Sequence, residues 1–479
     1  MLPATWALLD ESSRLGVKDT VIGMAHRGRT NLLVGMLQYP ASLLFHKIRG
    51  HSDVPAEVPR VSGDVISHIG HKASLSFSGG RSMDVRVLHN PSHLEAVNPA
   101  ALGRARVRGA MPVIFHGDTA LAGQGVNYEA CQMSRLADFK SGGAIHIVVN
   151  NQIGFTAEAQ AARSTRYATD LFKAFEIPIW RASTPEAVMR AARLAARYRA
   201  KFGEDAVIDV VGFRRHGHNE LDEPSFTNPA MYATIDKLPP PGKQYADELV
   251  RRGEIFPSAI EKMEASALEH FTKEFELANP VPAMTHLEAE WKPFVYQREF
   301  SNKPTGVSAS TLLDIGHKSV SVKTEGFSLH KTLVRSFVAA RTKRLEDAKA
   351  DPNAKVLDWA TCEALAIGSL VAEGNFVRLC GQDSGRGTFS QRHMELTCFE
   401  TGKRDIPLQR LITNGKLEVV NSFLSELGVV AFEYGVSIDS PKNLVIWEAQ
   451  FGDFFNQAQV SIDTFVANSH EKWQRPTAM

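Results

Sequence analysis

Asp118 closes the run "MPVIFHGD", and Asn151 closes "AIHIVVNN". A carboxylate oxygen, an amide oxygen and a nearby backbone carbonyl are hard donors. Mg²⁺ prefers such oxygens in octahedral geometry and completes its shell with phosphates and water. Brought together, the two residues could hold a diphosphate through a metal bridge. Taken singly, Asp118 reads as a helix cap and Asn151 as a turn residue; two such residues at matching strand ends favour the ligand reading. His26, His68, His93 and His218 each sit in a polar motif with Gly, Ser or Asn rather than on an apolar face. Imidazole can bind carboxylates and exchange protons near neutral pH, although a lone histidine is more often structural. Glu426, in "NSFLSELGVVAFEYG", starts a helix-like run with Ser422 or Ser425 available as cap. Read alone, it is a first-turn acid that suits the helix dipole. Gln450, in "WEAQFGDF", reads alone as a strand-end amide. Arg27 offers a planar fork for phosphate oxygens.

The elements that must position these groups follow from hydrophobic pattern. "MPVIFHGD" is a short apolar run stopped by Gly117 and Asp118, so a buried strand. "GQGVNYEACQMSRLADF" has roughly helical apolar spacing and predicts a helix. Gly142 and Gly143 then turn the chain into a second buried strand, "AIHIVVNN". Strand, helix and strand make a βαβ unit, whose handedness sets the two strands parallel, side by side or one strand apart. Asp118 and Asn151 therefore meet at the carboxyl edge, where open α/β sheets bind ligands.

At 479 residues, two or three domains are expected, and 43% hydrophobic content is enough for sizeable cores. A formal net charge of +1 argues against nucleic-acid or polybasic membrane roles. Cys131, Cys362, Cys380 and Cys398 lack CxxC spacing and read as reduced thiols, not as a disulfide frame or zinc site. No apolar stretch is long enough for a membrane span, and no signal or transit peptide is evident, since a helix-like pattern begins at once. Residues 1–235 alternate strand and helix signals. "KLPPPGKQY" is a break, residues 246–280 read as amphipathic helices, and "VPAMTHLEAEWKPFVYQREFSNKPTGV" is irregular. A second α/β region starts near Leu329. There "HKTLVRSFVAARTKRLED" is helical, and "FVRLCGQD", "LEVVNS" and "NLVIWEAQ" read as strands.

The stretch from Gly117 to Asn151 resembles the thiamin diphosphate motif, with a Gly-Asp start and an Asn-Asn finish; Thr119 departs from the usual Gly or Ala. "GMAHRGRTNLL", "SGDVISHIG", "NPSHLEAVNP", "NNQIGFT", "RRHGHNELDEPSFTNPAMY", "GQDSGRGTFSQRH", "NSFLSELGVVAFEYG" and "WEAQFGDFFNQAQV" are similar to the E1 component of the 2-oxoglutarate dehydrogenase complex. The similarity runs from about residue 3 to 473 and is weakest between about 235 and 330. It implies an α/β chain of two thiamin diphosphate-binding-fold domains with parallel, helix-flanked sheets. These are a diphosphate-binding domain over 1–235, a helical and irregular linker over 236–328, and a pyrimidine-binding domain over 329–479 that stops short. The family's active site lies between such domains of different chains in a homodimer.

By the same resemblance the cofactors are thiamin diphosphate and Mg²⁺. Asp118, Asn151 and the Ile153 carbonyl would ligate the metal. Arg27, Ser92, Leu94, Thr119, His218 and Gln450 would join them in the cofactor shell, Leu94 and Ile153 acting partly through backbone. Glu426 matches the glutamate that activates the cofactor at its pyrimidine ring, where low dielectric favours a short shared hydrogen bond. His26 and His68 would contact substrate or intermediate, with His93 in the same proton-donating, carboxylate-binding set. The expected substrate is a 2-oxo dicarboxylic acid, 2-oxoglutarate first and 2-oxoadipate close behind, since one methylene discriminates by only about 1–3 kcal/mol. The acyl acceptor would be the lipoyl domain of an E2 succinyltransferase, in the mitochondrial matrix of a eukaryote and otherwise in the cytoplasm. Nucleic acid and membrane are not expected partners. A non-catalytic cofactor-binding relative and a transketolase-type sugar enzyme are the other classes; "GHNELDEPS" and "GQDSGRGTF" speak against the latter. The family continues past the equivalent of Trp473 and has an N-terminal extension. The expectation is therefore a fragment, a truncated gene model or a shortened relative, prone to aggregation or weak cofactor binding when expressed alone.

Overall fold

The computed structural model describes residues 1–52, 54, 61–277, 291–294, 302–322 and 325–479. Two α/β units make up the chain: Met1–His286 with Asn468–Arg475, and Leu287–Ala467 with Pro476–Met479.

The first unit is built on β1 (Asp19–Met24), β2 (His71–Phe77), β3 (Arg81–Val87), β4 (Met111–Gly117), β5 (Ile145–Asn150), a short hairpin of β6 (Ile153–Gly154) and β7 (Ala157–Glu158), β8 (Ile179–Ala182) and β9 (Ala206–Val211). Its seven-stranded sheet runs β2-β3-β1-β4-β5-β9-β8. Every pairing is parallel except β2 with β3. The strand sequences explain this. β4 and β5 are nearly continuous apolar runs buried along their length, as parallel strands covered on both faces must be. β2 alternates buried Ala73, Leu75 and Phe77 with exposed neighbours, which suits an antiparallel edge strand with one wet face.

Helices cover the sheet by small-residue contacts. In Pro185–Phe202, Val188, Ala191, Ala192, Ala195 and Ala196 form one buried stripe, the 3.6-residue period of a helix with one face on the core. Thr184 caps its start by accepting from Ala187 N, and Gly203 at φ 67° ends it. Val97–Arg108 lies on β1 and β4. A Cβ at Gly23 of β1 would stand 2.8 Å from Ala101 Cβ, so glycine there sets how closely that helix approaches. Of the stretch "GQGVNYEACQMSRLADF", expected as one helix, only Val126–Met133 is regular helix, and a separate short helix, Asp118–Gly123, ends at its first residue. Gln124 is extended between flanking glycines. After Met133 the Ser134 hydroxyl bonds the Cys131 carbonyl at 2.7 Å, offering the backbone an alternative to a further turn.

In the second unit, β10 (Phe376–Gly381), β13 (Lys416–Asn421) and β14 (Asn443–Glu448) form a parallel sheet ordered β13-β10-β14. β11 (Leu396–Thr397) and β12 (Arg404–Asp405) make a small antiparallel pair. The runs read as strands in "FVRLCGQD", "LEVVNS" and "NLVIWEAQ" are these three parallel strands. "HKTLVRSFVAARTKRLED" is helical from Lys331 to Ala350, with a π-helical stretch at Val334–Ala339. Of the 236–328 region, the helices Pro241–Arg251 and Pro257–Glu276 belong to the first unit and Ala309–Lys318 to the second. Much of "VPAMTHLEAEWKPFVYQREFSNKPTGV" lies outside the described residues. All four cysteines are free, and no described helix is long and apolar enough to cross a membrane.

Leu427–Ser437 is buried on nearly every side. Its one charge, Glu433, takes a two-pronged contact from Arg378 of β10, at 2.7 Å from Nε and 2.8 Å from Nη2. Glu418 of β13 meets the same guanidinium. Arg378 and Glu433 are both 0% exposed, so neither charge can fall back on water. Glu433→Gln is expected to destabilise the second unit by about 3–5 kcal/mol, the cost of stripping one partner from a buried pair. An unchanged urea midpoint would contradict this.

Candidate cofactor site

Register brings the key residues together. β4 and β5 are adjacent and parallel, with Gly117 opposite Val149, so Asp118 and Asn151 follow neighbouring strands at one edge. A cavity at that edge is lined by His26, Arg27, Leu94, Asp118, Thr119, Asn151, Ile153 and His218, together with Phe115, Phe155 and Arg214. Eight of the expected site residues thus share one cavity.

Asp118 is only 1% exposed. Burial pushes its carboxyl above the ordinary value, while Arg163, with Nη1 3.3 Å from Oδ2, pulls the other way. Thr119 Oγ1 is buried without a hydrogen-bond partner. Above it, a Cβ at Gly154 would lie 2.5 Å from Thr119 Cγ2, so the hairpin loop closes on Thr119 only because residue 154 is glycine. Asn151 Oδ1 accepts from Ile153 N at 3.2 Å, and Gln152 and Phe155 sit at φ 65° and 54°. This tight turn is held from the "RRHGHNELDEPSFTNPAMY" segment. Arg214 donates to the Phe155 carbonyl at 2.8 Å and Asn228 to the Thr156 carbonyl at 3.0 Å.

Cations and imidazoles form the other wall. Arg27 Nη2 lies 3.1 Å from His218 Nδ1 and donates to the His218 carbonyl at 2.9 Å. A guanidinium can only donate, so Nδ1 accepts and Nε2 carries the proton of the neutral ring. Burial, then Arg27 and Arg214, hold the His218 pKa below its usual value against Asp222. His26 is held down first by burial and then by Arg27, His68 and His218. Both rings therefore favour the neutral form. His68 does not line the cavity but is buried, with Nδ1 3.0 Å from Asp64 Oδ2. Its place is set by Arg29, which is fully buried. Arg29 donates to the carbonyls of Met24 (2.7 Å), Ile69 (3.0 Å) and Leu88, tying the His26 and His68 segments together. Burial depresses the Arg29 pKa to about 9.

The remaining expected residues fall elsewhere. Ser92 and His93 are exposed and do not line the cavity; only Leu94 of that turn does. Glu426 and Gln450 belong to the second unit. Gln382 Nε2 donates to Glu426 Oε1 at 2.7 Å, Gln450 Nε2 donates to Asp383 Oδ2 at 3.3 Å, and Thr388 donates to the Gln450 carbonyl. Glu426 itself occupies the N-cap position of Leu427–Ser437 and makes no side-chain cap bond, so neither Ser422 nor Ser425 is the cap. Asp64, Arg29, Arg163, Arg214 and Gln382 were not singled out from sequence. Of these, only Asp64, one turn before His68, had a local signal.

The donor set suits a hard cation. No cluster of three or more His, Cys, Asp or Glu able to hold a metal occurs among the described residues. The edge instead offers one buried carboxylate and neutral oxygens. The partnerless Thr119 hydroxyl and the flanking Arg27 suit a polar anion, so these residues fit a diphosphate with Mg²⁺.

Comparison with known proteins bears on both units. The dehydrogenase E1 component family matches residues 11–285, and the transketolase pyrimidine binding domain matches residues 355–479. The probable 2-oxoadipate dehydrogenase complex component E1 homolog of Dictyostelium discoideum is 42% identical over 501 residues, covering 100% of this chain and 54% of its own. The 2-oxoadipate dehydrogenase complex component E1 of Homo sapiens is 41% identical over 491 residues, covering 97% and 53%. The mitochondrial 2-oxoglutarate dehydrogenase of Saccharomyces cerevisiae is 41% identical over 504 residues, covering 100% and 48%. The chain spans about half the length of these relatives.

Proposed function

Because the chain belongs to the dehydrogenase E1 component family, we propose that it binds thiamin diphosphate and Mg²⁺ and decarboxylates a 2-oxo dicarboxylic acid, passing the acyl group to the lipoyl domain of an E2 partner. The observation that carries this reading is the juxtaposition of buried Asp118 with Asn151 at the ends of adjacent parallel strands, in one cavity with Thr119, Arg27 and His218. Asp118, Asn151 and the Ile153 carbonyl would hold the metal, and Arg27 and Thr119 the diphosphate. When bound, the thiazolium ring supplies the electron sink that a departing CO₂ requires. The chain's own part is to bind, orient and exclude water. Phe115, Phe155 and Leu94 give the cavity apolar walls. His26 from the cavity wall and the buried His68 would present imidazoles to substrate carboxylates, and His93 would join them from its exposed turn. Glu426, with Gln382 on its Oε1, would address the aminopyrimidine, and Gln450 would assist on that side. A homodimer and, in a eukaryote, a mitochondrial matrix setting complete the proposal.

For substrate, we place 2-oxoadipate ahead of 2-oxoglutarate, reversing the order of the sequence expectation, because the first several relatives carry the 2-oxoadipate name. The yeast relative keeps 2-oxoglutarate in view. The test is turnover of each acid with thiamin diphosphate, Mg²⁺ and an artificial electron acceptor. Both acids are expected to react, with kcat/KM values that differ by about 10–200-fold, the usual worth of one methylene. Tight cofactor binding without turnover of either acid would point to a non-catalytic relative.

A further inference from the structure

His68 is held from behind. Its Nδ1 lies 3.0 Å from Asp64 Oδ2, and both side chains are buried, at 7% and 10% exposure. The same Oδ2 accepts the indole N–H of Trp473 at 2.9 Å, and Oδ1 accepts Val65 N at 2.8 Å. An indole N–H and a backbone N–H can only donate. The Asp64 carboxylate is therefore an acceptor at both oxygens, and the His68 ring must bring the proton to their shared contact. Trp473 is in turn packed on His89, with ring centroids 4.4 Å apart. Burial pushes the Asp64 carboxyl up, but the bonds from His68 and Val65 outweigh it and hold it below its ordinary value.

We propose that Asp64 is a positioning residue that fixes His68 as the Nδ1–H tautomer, leaving Nε2 as the working nitrogen of the decarboxylation site. A carboxylate behind an imidazole fixes the ring's tautomer and orientation, so that its outer nitrogen faces the chemistry. Here the arrangement has a second anchor in Trp473, which fixes the carboxylate itself. His68 is among the groups that lower the His26 pKa, and His26, though not His68 itself, lines the cavity. The catalytic half of this inference rests on the function proposed above; the tautomer does not.

The test is ¹⁵N-imidazole NMR of the full chain, with the His68 signals assigned from His68→Gln, alongside steady-state kinetics of Asp64→Asn. The unmodified chain is expected to show a protonated Nδ1 and a bare Nε2 on neutral His68. Asp64→Asn is expected to mix the tautomers and to lower kcat/KM by about 10–100-fold, the range that outer-shell partners of metal-bound histidines contribute. Thiamin diphosphate affinity should be unchanged, and the loss should vanish in the His68→Gln background. An Nε2–H tautomer in the unmodified chain overturns the inference without any Asp64 variant. So does an Asp64→Asn loss that persists in the His68→Gln background, or an Asp64→Asn kcat/KM equal to that of the unmodified chain. If the unmodified chain turns over no 2-oxo acid, the proposed function falls, while the NMR measurement still decides whether Asp64 controls His68.

Discussion

Asp118→Ala is expected to weaken Mg²⁺-dependent thiamin diphosphate binding by about 10²–10³-fold, the scale seen when one partner of a buried charge contact is removed. Asn151→Ala, which removes a neutral oxygen, is expected to cost about 10–100-fold, the range of a hydrogen bond to a charged group. The ranking follows from position. Among the described residues, Asp118 is the one carboxylate lining the cavity, and it is almost fully buried. Asn151 shares its Oδ1 with the backbone N–H of Ile153. Asp118→Ala also leaves Arg163, a largely buried cation, without its contact at 3.3 Å. Asp118→Asn is therefore the companion variant, since it keeps volume and a hydrogen-bond acceptor while removing the charge. Calorimetry with and without chelator separates the metal-dependent part. Cofactor affinities in Asp118→Ala and Asn151→Ala that match the unmodified chain would remove both residues from the site.

The sheet edge was legible because its code is local. "MPVIFHGD" and "AIHIVVNN" are apolar runs ended by polar residues, and the handedness of a βαβ unit does the rest. The same reasoning could not place Arg29. The second cation of "HRGRT" reads as surface charge, yet its guanidinium is buried and donates to three carbonyls from three separate segments. Only tertiary structure reveals those acceptors. Trp473 is a similar case, meeting Asp64 across most of the chain's length. The resemblance puts Ser92 and Leu94 in the cofactor shell and His93 in the proton-donating set, whereas only Leu94 of that turn lines the cavity and Ser92 and His93 are exposed. Helical apolar spacing over "GQGVNYEACQMSRLADF" does not register that Gly123 and Gly125 flank an extended Gln124. In the fold they end one helix and begin another. Periodicity registers which face is apolar, but not whether the backbone bonds continue.

Glu426→Gln is expected to leave cofactor affinity intact while slowing exchange of the bound cofactor's C2 proton by about 10²–10⁴-fold, the usual worth of a positioned acid–base group. The variant keeps the side chain's length and an oxygen able to accept the 2.7 Å bond from Gln382, so packing is preserved and only the ionisable proton is lost. The backbone role is preserved as well, because the Glu426 carbonyl accepts from Val430 N at 2.9 Å whatever the side chain carries. The structural role that competes with this reading is that of a helix-start acid. Glu426 does occupy the N-cap position, but its side chain makes no cap bond and turns to Gln382 instead. A helix-start acid would register in stability by about 0.3–1 kcal/mol through the dipole and leave proton exchange untouched. The two roles therefore separate on two readouts. Slowed exchange at constant melting temperature supports the acid–base role, whereas an unmodified exchange rate with a lowered melting temperature reduces Glu426 to a residue that begins a helix.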